Sequence, residues 1–263
     1  MDESTDRQRE IIEIARKTGR VLVDDLASRF EVTPQTIRRD LNDLCDRRLL
    51  SRIHGGAIVA SGVINASYEA RRFIAHSEKQ IIGAAAATLI PNGASLFINI
   101  GTTTEEVARA LGDHKDLLII TNNLNVAMMT YASPNIEVIM AGGPVRRADG
   151  AIIGEAAAHF ISQFKVDYAI IGASALDQDG ALLDFDYREV SVAKTIIENA
   201  RTVILVADRL KFERTAPVRI AHISDIDIFV TDHLPGGEFN SICRENGVKT
   251  IETQGDREEN TQI

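Results

Sequence analysis

Residues 33–41 read Thr33-Pro34-Gln35-Thr36-Ile37-Arg38-Arg39-Asp40-Leu41, and the fold is decided from this stretch outward. Thr33 suits the N-cap of a helix, because its hydroxyl can accept from an otherwise unpaired N–H of the first turn. Pro34 at the next position loses no hydrogen bond and already has a helical φ. Ile37, Leu41 and Leu44 follow at i, i+4 and i+7, which makes one face apolar. Gln35, Thr36, Arg38 and Arg39 fall off that face. Amide, hydroxyl and guanidinium groups near the N-terminal end of a short helix suit entry into a DNA major groove. Taken alone, the stretch is equally an amphipathic helix with a solvated basic side.

Its neighbours tip the balance. Residues 6–17 place Ile11, Ile12 and Ile14 at helical spacing, and Thr18-Gly19 ends that helix. Val21-Leu22-Val23 follows, then Asp24 opens a second short helix with Leu26, Ala27 and Phe30 on its buried side. Glu31-Val32-Thr33 has the length of the turn in a helix-turn-helix. Beyond the third helix, Leu49 to Ile53 reads as a strand and His54-Gly55-Gly56-Ala57 as a glycine turn. This order describes a winged helix-turn-helix over residues 1–57. Arg52, His54 and Gly55 would lie on the wing, near phosphate or the minor groove.

Charge agrees with a local reading surface. Residues 1–60 hold 11 Lys+Arg and 11 Asp+Glu; the remainder hold 18 and 27, which accounts for the net charge of −9. An acidic bulk repels a polyanion, so contact with double-stranded DNA must be local and oriented, and non-specific coating is disfavoured. Cys45 and Cys243 are the only cysteines and lie far apart, which suits a reducing cytoplasm without a disulfide framework. Cys45 reads as a small buried filler rather than a redox sensor. No zinc spacing, metal cluster or cofactor motif is present. The N-terminus is too polar for a targeting segment, and no apolar run approaches the roughly 20 residues needed to span a bilayer, so no membrane partner is expected.

Residues 58–75 have linker composition, with Ala60-Ser61-Gly62 and Asn65-Ala66-Ser67. From residue 76 to 253 helices and strands alternate, and this implies a largely parallel α/β sheet covered on both faces. Residues 254–263 form a polar tail. Ligands of such sheets bind beyond the carboxyl ends of the strands. The polar loops there are Gly101-Thr102-Thr103-Thr104, Thr121-Asn122-Asn123, Gly142-Gly143, Gly172-Ala173-Ser174 and Asp208. Gly101 lets backbone approach a ligand, and Thr102, Thr103 and Thr104 offer N–H groups and hydroxyls where a helix dipole favours an anion. This is a candidate phosphate cradle, although the Gly-x-x-x-x-Gly-Lys of a P-loop is absent. Lys194 and Lys211 are candidates to add charge.

The combination Val32-Thr33-x-x-Thr36-Ile37-Arg38-Arg39-Asp40-Leu41 with Arg52-x-His54-Gly55-Gly56-Ala57 resembles the DeoR family of bacterial transcriptional regulators. Glu78-Lys79, Gly101 to Thr104, Thr121-Asn122, Gly142-Gly143 and Asp208-x-x-Lys211-Phe212 extend the resemblance over nearly the whole chain. Within the family, residues 121–127, 154–156, 160–164, 184–190 and 196–199 resemble its glycerol 3-phosphate branch. The resemblance implies a repressor, a homodimer or homotetramer, whose C-terminal domain is similar in fold to sugar-phosphate isomerases and takes a phosphorylated sugar or polyol. Glycerol 3-phosphate is the favoured effector and fructose 1-phosphate the alternative. Carried over, Gly101 to Thr104 and Lys211 would hold the phosphate, Asn122, Asp184, Asp186 and Glu189 would be candidates for the hydroxyls, and Gly142 and Gly143 would belong to the same effector site. Two departures stand out: Arg48 where many members have Gly, and Leu210 where they have Ser. The isomerases carry an Asp-Gly-Ala-Asp-Glu run where this chain has Ile171-Gly172-Ala173-Ser174-Ala175, so catalytic carboxylates are expected to be missing and no enzyme activity is expected.

Overall fold

The computed structural model describes residues 6–18, 20–47, 49–59 and 68–253, and these divide into two compact units, at Ile74 and Ala75. The first contains α1 (Asp6–Thr18), β1 (Arg20–Leu22), α2 (Val23–Arg29), α3 (Pro34–Asp46), β2 (Leu50–Ile53), β3 (Gly56–Val59) and α4 (Tyr68–Phe73). Its strands form an antiparallel sheet in the order β1-β3-β2. Ile11, Ala15, Val21, Leu26, Ile37, Leu41, Leu44, Leu50 and Ala57 are buried in one cluster. The apolar stripe of 33–41 is therefore the inner face of α3.

The wing is narrower than the sequence suggested. Only His54 and Gly55 turn, with Gly55 at φ 76°, and Gly56 and Ala57 already belong to β3. Gly56 faces Val21 so closely that a Cβ would overlap the Val21 carbonyl oxygen and lie 3.0 Å from its carbon. Both obstacles are backbone, so Gly56→Ala is expected to cost at least about 1–3 kcal/mol by forcing β1 and β3 apart. Faster hydrogen exchange of the Val21 and Ala57 amides would report it; native-like protection would contradict it. Two parts of the stretch expected as a linker are ordered elements, since Ile58 and Val59 complete β3 and residues 68–73 form α4. The Ala60-Ser61-Gly62 and Asn65-Ala66-Ser67 segments, Gly19, Arg48 and the tail from 254 lie outside the described residues.

The second unit contains α5 (His76–Ala87), β4 (Ser95–Ile98), α6 (Thr102–Ala110), β5 (Leu117–Thr121), α7 (Leu124–Thr130), β6 (Ile136–Met140), α8 (Glu155–Ile161), β7 (Val166–Ile171), β8 (Ala175–Leu176), β9 (Ala181–Asp184), α9 (Tyr187–Glu198), β10 (Ala200–Val206), β11 (Val218–His222), β12 (Ile228–Thr231), α10 (Gly237–Glu245) and β13 (Lys249–Glu252). Seven strands form one parallel sheet in the order β13-β12-β10-β7-β4-β5-β6. Alternation along the strands separates two cores. Leu96, Ile98 and Ile119 pack with Ile82 of α5, Val107 of α6 and Val126 of α7. Phe97, Ile120 and Ala169 pack with Ile161 of α8, Val190 and Ile196 of α9 and Phe239 of α10.

The expected alternation of helices and parallel strands misses the edge strand β13 and a second sheet. β8, β9 and β11 form a separate antiparallel sheet in the order β11-β9-β8. Its hairpin turns at Gly180, whose φ is 86°. The chain builds β4, β5 and β6 in one direction across the parallel sheet, then β7, β10, β12 and β13 in the other. The topological switch point therefore lies between β4 and β7, where the loops 99–101 and 172–174 meet.

Candidate functional site

In the first unit, Thr33 caps α3 as its sequence implies: its Oγ1 accepts from the Thr36 N–H at 3.3 Å. The two hydroxyls also lie 2.9 Å apart, so Thr36 is tied to the cap as well as available to a base. Gln35, Arg38, Arg39, Arg52, His54 and Gly55 are all exposed. Arg7 is tied to Asp40 at 2.6 Å, Arg29 to Glu10 at 3.1 Å and Arg47 to Asp43 at 3.8 Å. Among the described residues, Arg38, Arg39 and Arg52 make no ion pair. The Arg7–Asp40 bond fixes α1 against α3 from the inner side, which leaves the outer cations free for a polyanion. Burial pushes the Cys45 thiol up, only partly offset by Arg52, so Cys45 is a poor thiolate.

In the second unit the strand-end loops converge on the switch point. Gly101 caps α6 at φ 150° and ψ 148°, a conformation that favours glycine. The N–H groups of Thr102, Thr103 and Thr104 open α6 and lack intrahelical acceptors. Thr102 and Thr103 are buried. The Thr104 hydroxyl turns inward and hydrogen-bonds the carbonyls of Asn99 at 2.7 Å and Gly101 at 2.8 Å. Its side chain thus braces the loop that opens α6. Gly172 stands directly beside this loop, with Thr104 Cγ2 3.7 Å from where its Cβ would lie. Gly142 and Gly143 are exposed, and the position of a Cβ on Gly142 is open space.

Positive charge gathers at the ends of β10 and α5. Lys211 follows Asp208 on a short 3₁₀ turn, Arg209–Glu213, and is 7% exposed; Lys79 of α5 is 2% exposed. Burial alone would raise the Asp208 carboxyl, but Lys211, Lys79 and Arg214 outweigh it and hold Asp208 below the ordinary carboxylate range. Three buried cations thus lie around that carboxylate. Neighbouring Asp232 goes the other way, pushed up by burial. Lys79 and Arg214 were not singled out as ligand residues from sequence; Lys79 looks like an ordinary helix-surface lysine until its burial is known. Lys194 is exposed on α9. Leu210, in place of the family serine, contributes its backbone N–H to Asp208 Oδ1 at 3.1 Å.

The acids expected at hydroxyls divide. Asp186 and Glu189 are engaged by Arg146, whose guanidinium donates to Asp186 at 3.0 Å, Glu189 at 2.6 Å and Asp149 at 2.6 Å. Hydrogen bonds from Arg188, joined by Arg146 and opposed by burial, hold the Asp186 carboxyl down to about 2. Asp186 also caps α9 through the Arg188 N–H. Through Arg146 these two acids join the loop after β6 to the start of α9. Asp184 is buried on β9 and accepts from the Ser174 hydroxyl at 3.0 Å, beside the loop after β7. A second relay crosses the edge nearer the cradle: Glu105 of α6 accepts from Asn123 and Asn125, each at 3.1 Å.

Asn99 Oδ1 and Asn122 Oδ1, just beyond β4 and β5, are buried without a hydrogen-bond partner among the described residues, as are Asp232 Oδ2 and Thr253 Oγ1 beyond β12 and β13. Each such atom costs about 1–3 kcal/mol of desolvation. Asn122 was expected at the site; Asn99 was not, because the sequence reads it as a residue within the strand 95–100. A cavity of about 330 Å³ opens at the opposite end of the sheet, lined by Pro91, Asn92, Ala94, Asp167, Tyr168 and Arg201. It lies at the amino ends of β4, β7 and β10, away from the convergent loops, and the buried cations favour the carboxyl edge.

Fold and site together define a helix-turn-helix protein with an α/β sensor domain. The chain belongs to the DeoR family: the "DeoR-like helix-turn-helix domain" matches residues 7–63 and the "DeoR C terminal sensor domain" residues 74–233. It is 48% identical over 231 residues to the glycerol-3-phosphate regulon repressor of Escherichia coli (strain K12), covering 88% of this chain and 92% of that protein. Among solved structures, the translation initiation factor eIF-2B of Pyrococcus horikoshii OT3 aligns with a TM-score of 0.50 at 14% identity, over 86% of this chain and 95% of that one, a likeness of fold alone. Ribose 5-phosphate isomerase from Plasmodium falciparum aligns at TM-score 0.39 and 14% identity over 52% of each chain. No helix among the described residues is long and apolar enough to cross a membrane.

Proposed function

We propose that this chain is a cytoplasmic transcriptional repressor, dimeric or tetrameric, whose α3 reads operator DNA. In this reading it is released by a phosphorylated polyol or sugar, glycerol 3-phosphate above others, and governs operons for using that compound. Gln35 and Thr36 probe base edges, Arg38 and Arg39 contact bases or phosphates, and Arg52, His54 and Gly55 approach the backbone from the wing. The observation that carries the effector half is the burial of Lys79, Lys211 and Arg214 around Asp208 beside a helix N-terminus. The first turn of α6 supplies N–H donors for phosphate oxygens, and the cations add positive potential at the same sheet edge.

An effector can shift operator binding only by its differential affinity for two states of the protein. Effector bound to Gly101, Thr102, Thr103 and Lys211 favours the state in which the reading helices no longer match operator spacing. The isomerase-like alternative is disfavoured because Asp186 and Glu189 are held by arginines rather than poised as acid and base. A thermal-shift panel of phosphorylated sugars and polyols tests the proposal. Glycerol 3-phosphate should raise the melting temperature most. Stabilisation by fructose 1-phosphate and none by glycerol 3-phosphate would assign another effector, and turnover of ribose 5-phosphate by pure protein would overturn the non-enzymatic reading.

A further inference from the structure

We infer that β6 and α7 form the surface on which a second copy of this chain docks, with β6 pairing antiparallel to its own counterpart about a twofold axis at Val138. The inference rests on the oligomeric repressor proposed above and names the surface that joins its subunits.

The parallel sheet has two outer edges, β13 and β6. β13 carries Lys249 and Glu252, and charged side chains are a usual protection of an open edge. β6 has Glu137 as its one charged residue, while Val138, Ile139 and Met140 are partly exposed. Its inner side is taken by β5: the Ala141 N–H donates to the Thr121 carbonyl, and the Asn135 carbonyl accepts from the Leu117 N–H. Alternation along that ladder commits Glu137 and Ile139 to β5 and turns the N–H and C=O of Val138 and Met140 outward. No strand among the described residues pairs with the outward side.

α7 continues this open edge. Its Asn125 donates to Glu105 of α6. Tyr131 lies six residues on, roughly 240° round the helix, and so faces away from α6. Met128 and Tyr131 are 64% and 71% exposed. α7 alone among α5 to α10 has no charged residue. Residues 117–145 hold only Glu137, although 25% of the chain is charged, and they include three of its four methionines. β5 is uncharged because it is core; α7 and β6 lie at the rim, where charge is normal. Interface centres have this composition, poor in charge and rich in methionine and tyrosine.

Charge and register select a second copy as the occupant. Two chains of net charge −9 repel each other, and an uncharged surface is where they approach at least cost. With the axis at Val138, Ile136 lies opposite the partner's Met140 and Val138 opposite the partner's Val138. The outward N–H and C=O groups then meet as hydrogen-bonded pairs. Glu137 falls opposite the partner's Ile139, so the two carboxylates are not set against each other. Such a contact uses the same patch on both chains and closes on itself.

Sedimentation velocity of the full chain tests the inference, comparing the native protein with a Met128→Glu, Tyr131→Glu double variant. Both side chains are exposed, so the glutamates meet water within one chain and repel across the twofold. The double variant is expected at half the native mass, while Thr250→Glu on β13 keeps the native mass. A double variant that keeps the native mass would overturn this surface and leave the oligomeric reading intact. A monomeric native chain would overturn both. Should the double variant fail to fold, hydrogen exchange on the native protein decides. The Val138 and Met140 amides have no strand partner within one chain, so protection is expected in the oligomer and exchange at the rate of an open loop would contradict it.

Discussion

Arg38→Ala is expected to weaken operator binding by about 1–3 kcal/mol, the range for a bidentate guanidinium contact to a base edge. The position is exposed on α3, one residue beyond buried Ile37, and makes no ion pair among the described residues. Removal of its side chain therefore leaves no buried partner behind, and the fold of the first unit should persist. The same substitution at Arg29, which is paired with Glu10 at 3.1 Å, should change binding far less. Base and phosphate roles separate by salt. A base contact loses discrimination between operator and a mutated site, whereas a phosphate contact lowers affinity for both and reduces the salt slope by about one. Fluorescence anisotropy over a salt series measures both. Unaltered affinity would remove Arg38 from the reading surface.

Lys211→Met is expected to abolish effector release while leaving operator affinity near that of the native protein. It carries a stability cost too, because Asp208 remains buried with one cation fewer. Breaking a buried pair costs up to about 3–5 kcal/mol; Lys79 and Arg214 remain to moderate it here. The sign of the pH effect follows from the direction of the Asp208 shift. Its folded carboxyl lies below the ordinary range, so its stabilisation is present above that range and fades as pH falls through it. Without Lys211 the folded carboxyl moves up, and acid destabilisation begins at higher pH. Thr102→Val is the milder companion: it leaves the charged cluster intact and takes away one hydroxyl from the phosphate cradle. Effector release that survives both substitutions would place the phosphate elsewhere.

Local chemistry was the most legible part of this chain. The cap, proline and apolar stripe of α3 are set by residues within a few turns of one another, so they could be read without tertiary context. The parallel strands were legible too, because buried strands are short apolar runs ending at glycine or asparagine. β8, β9, β11 and β13 were not legible: β8 is only Ala175 and Leu176, and the others are runs of four or five residues that a local apolar pattern does not separate from loop. The ion pairs of Asp186 and Glu189 were not legible because their partner, Arg146, lies 40 and 43 residues away. Asn99 was passed over for the same reason in reverse: its significance is an unmet hydrogen bond, and that becomes visible only once every neighbour is in place.

In the proposed mechanism an operator-reading helix answers to an effector-sensing sheet edge, and one titration addresses both halves. Anisotropy of labelled operator DNA should be followed as glycerol 3-phosphate is added to the preformed complex. Saturable release of the DNA by glycerol 3-phosphate is predicted, with none by glycerol alone. Operator binding that is unchanged at saturating glycerol 3-phosphate, with the compound shown calorimetrically to be bound, would contradict it.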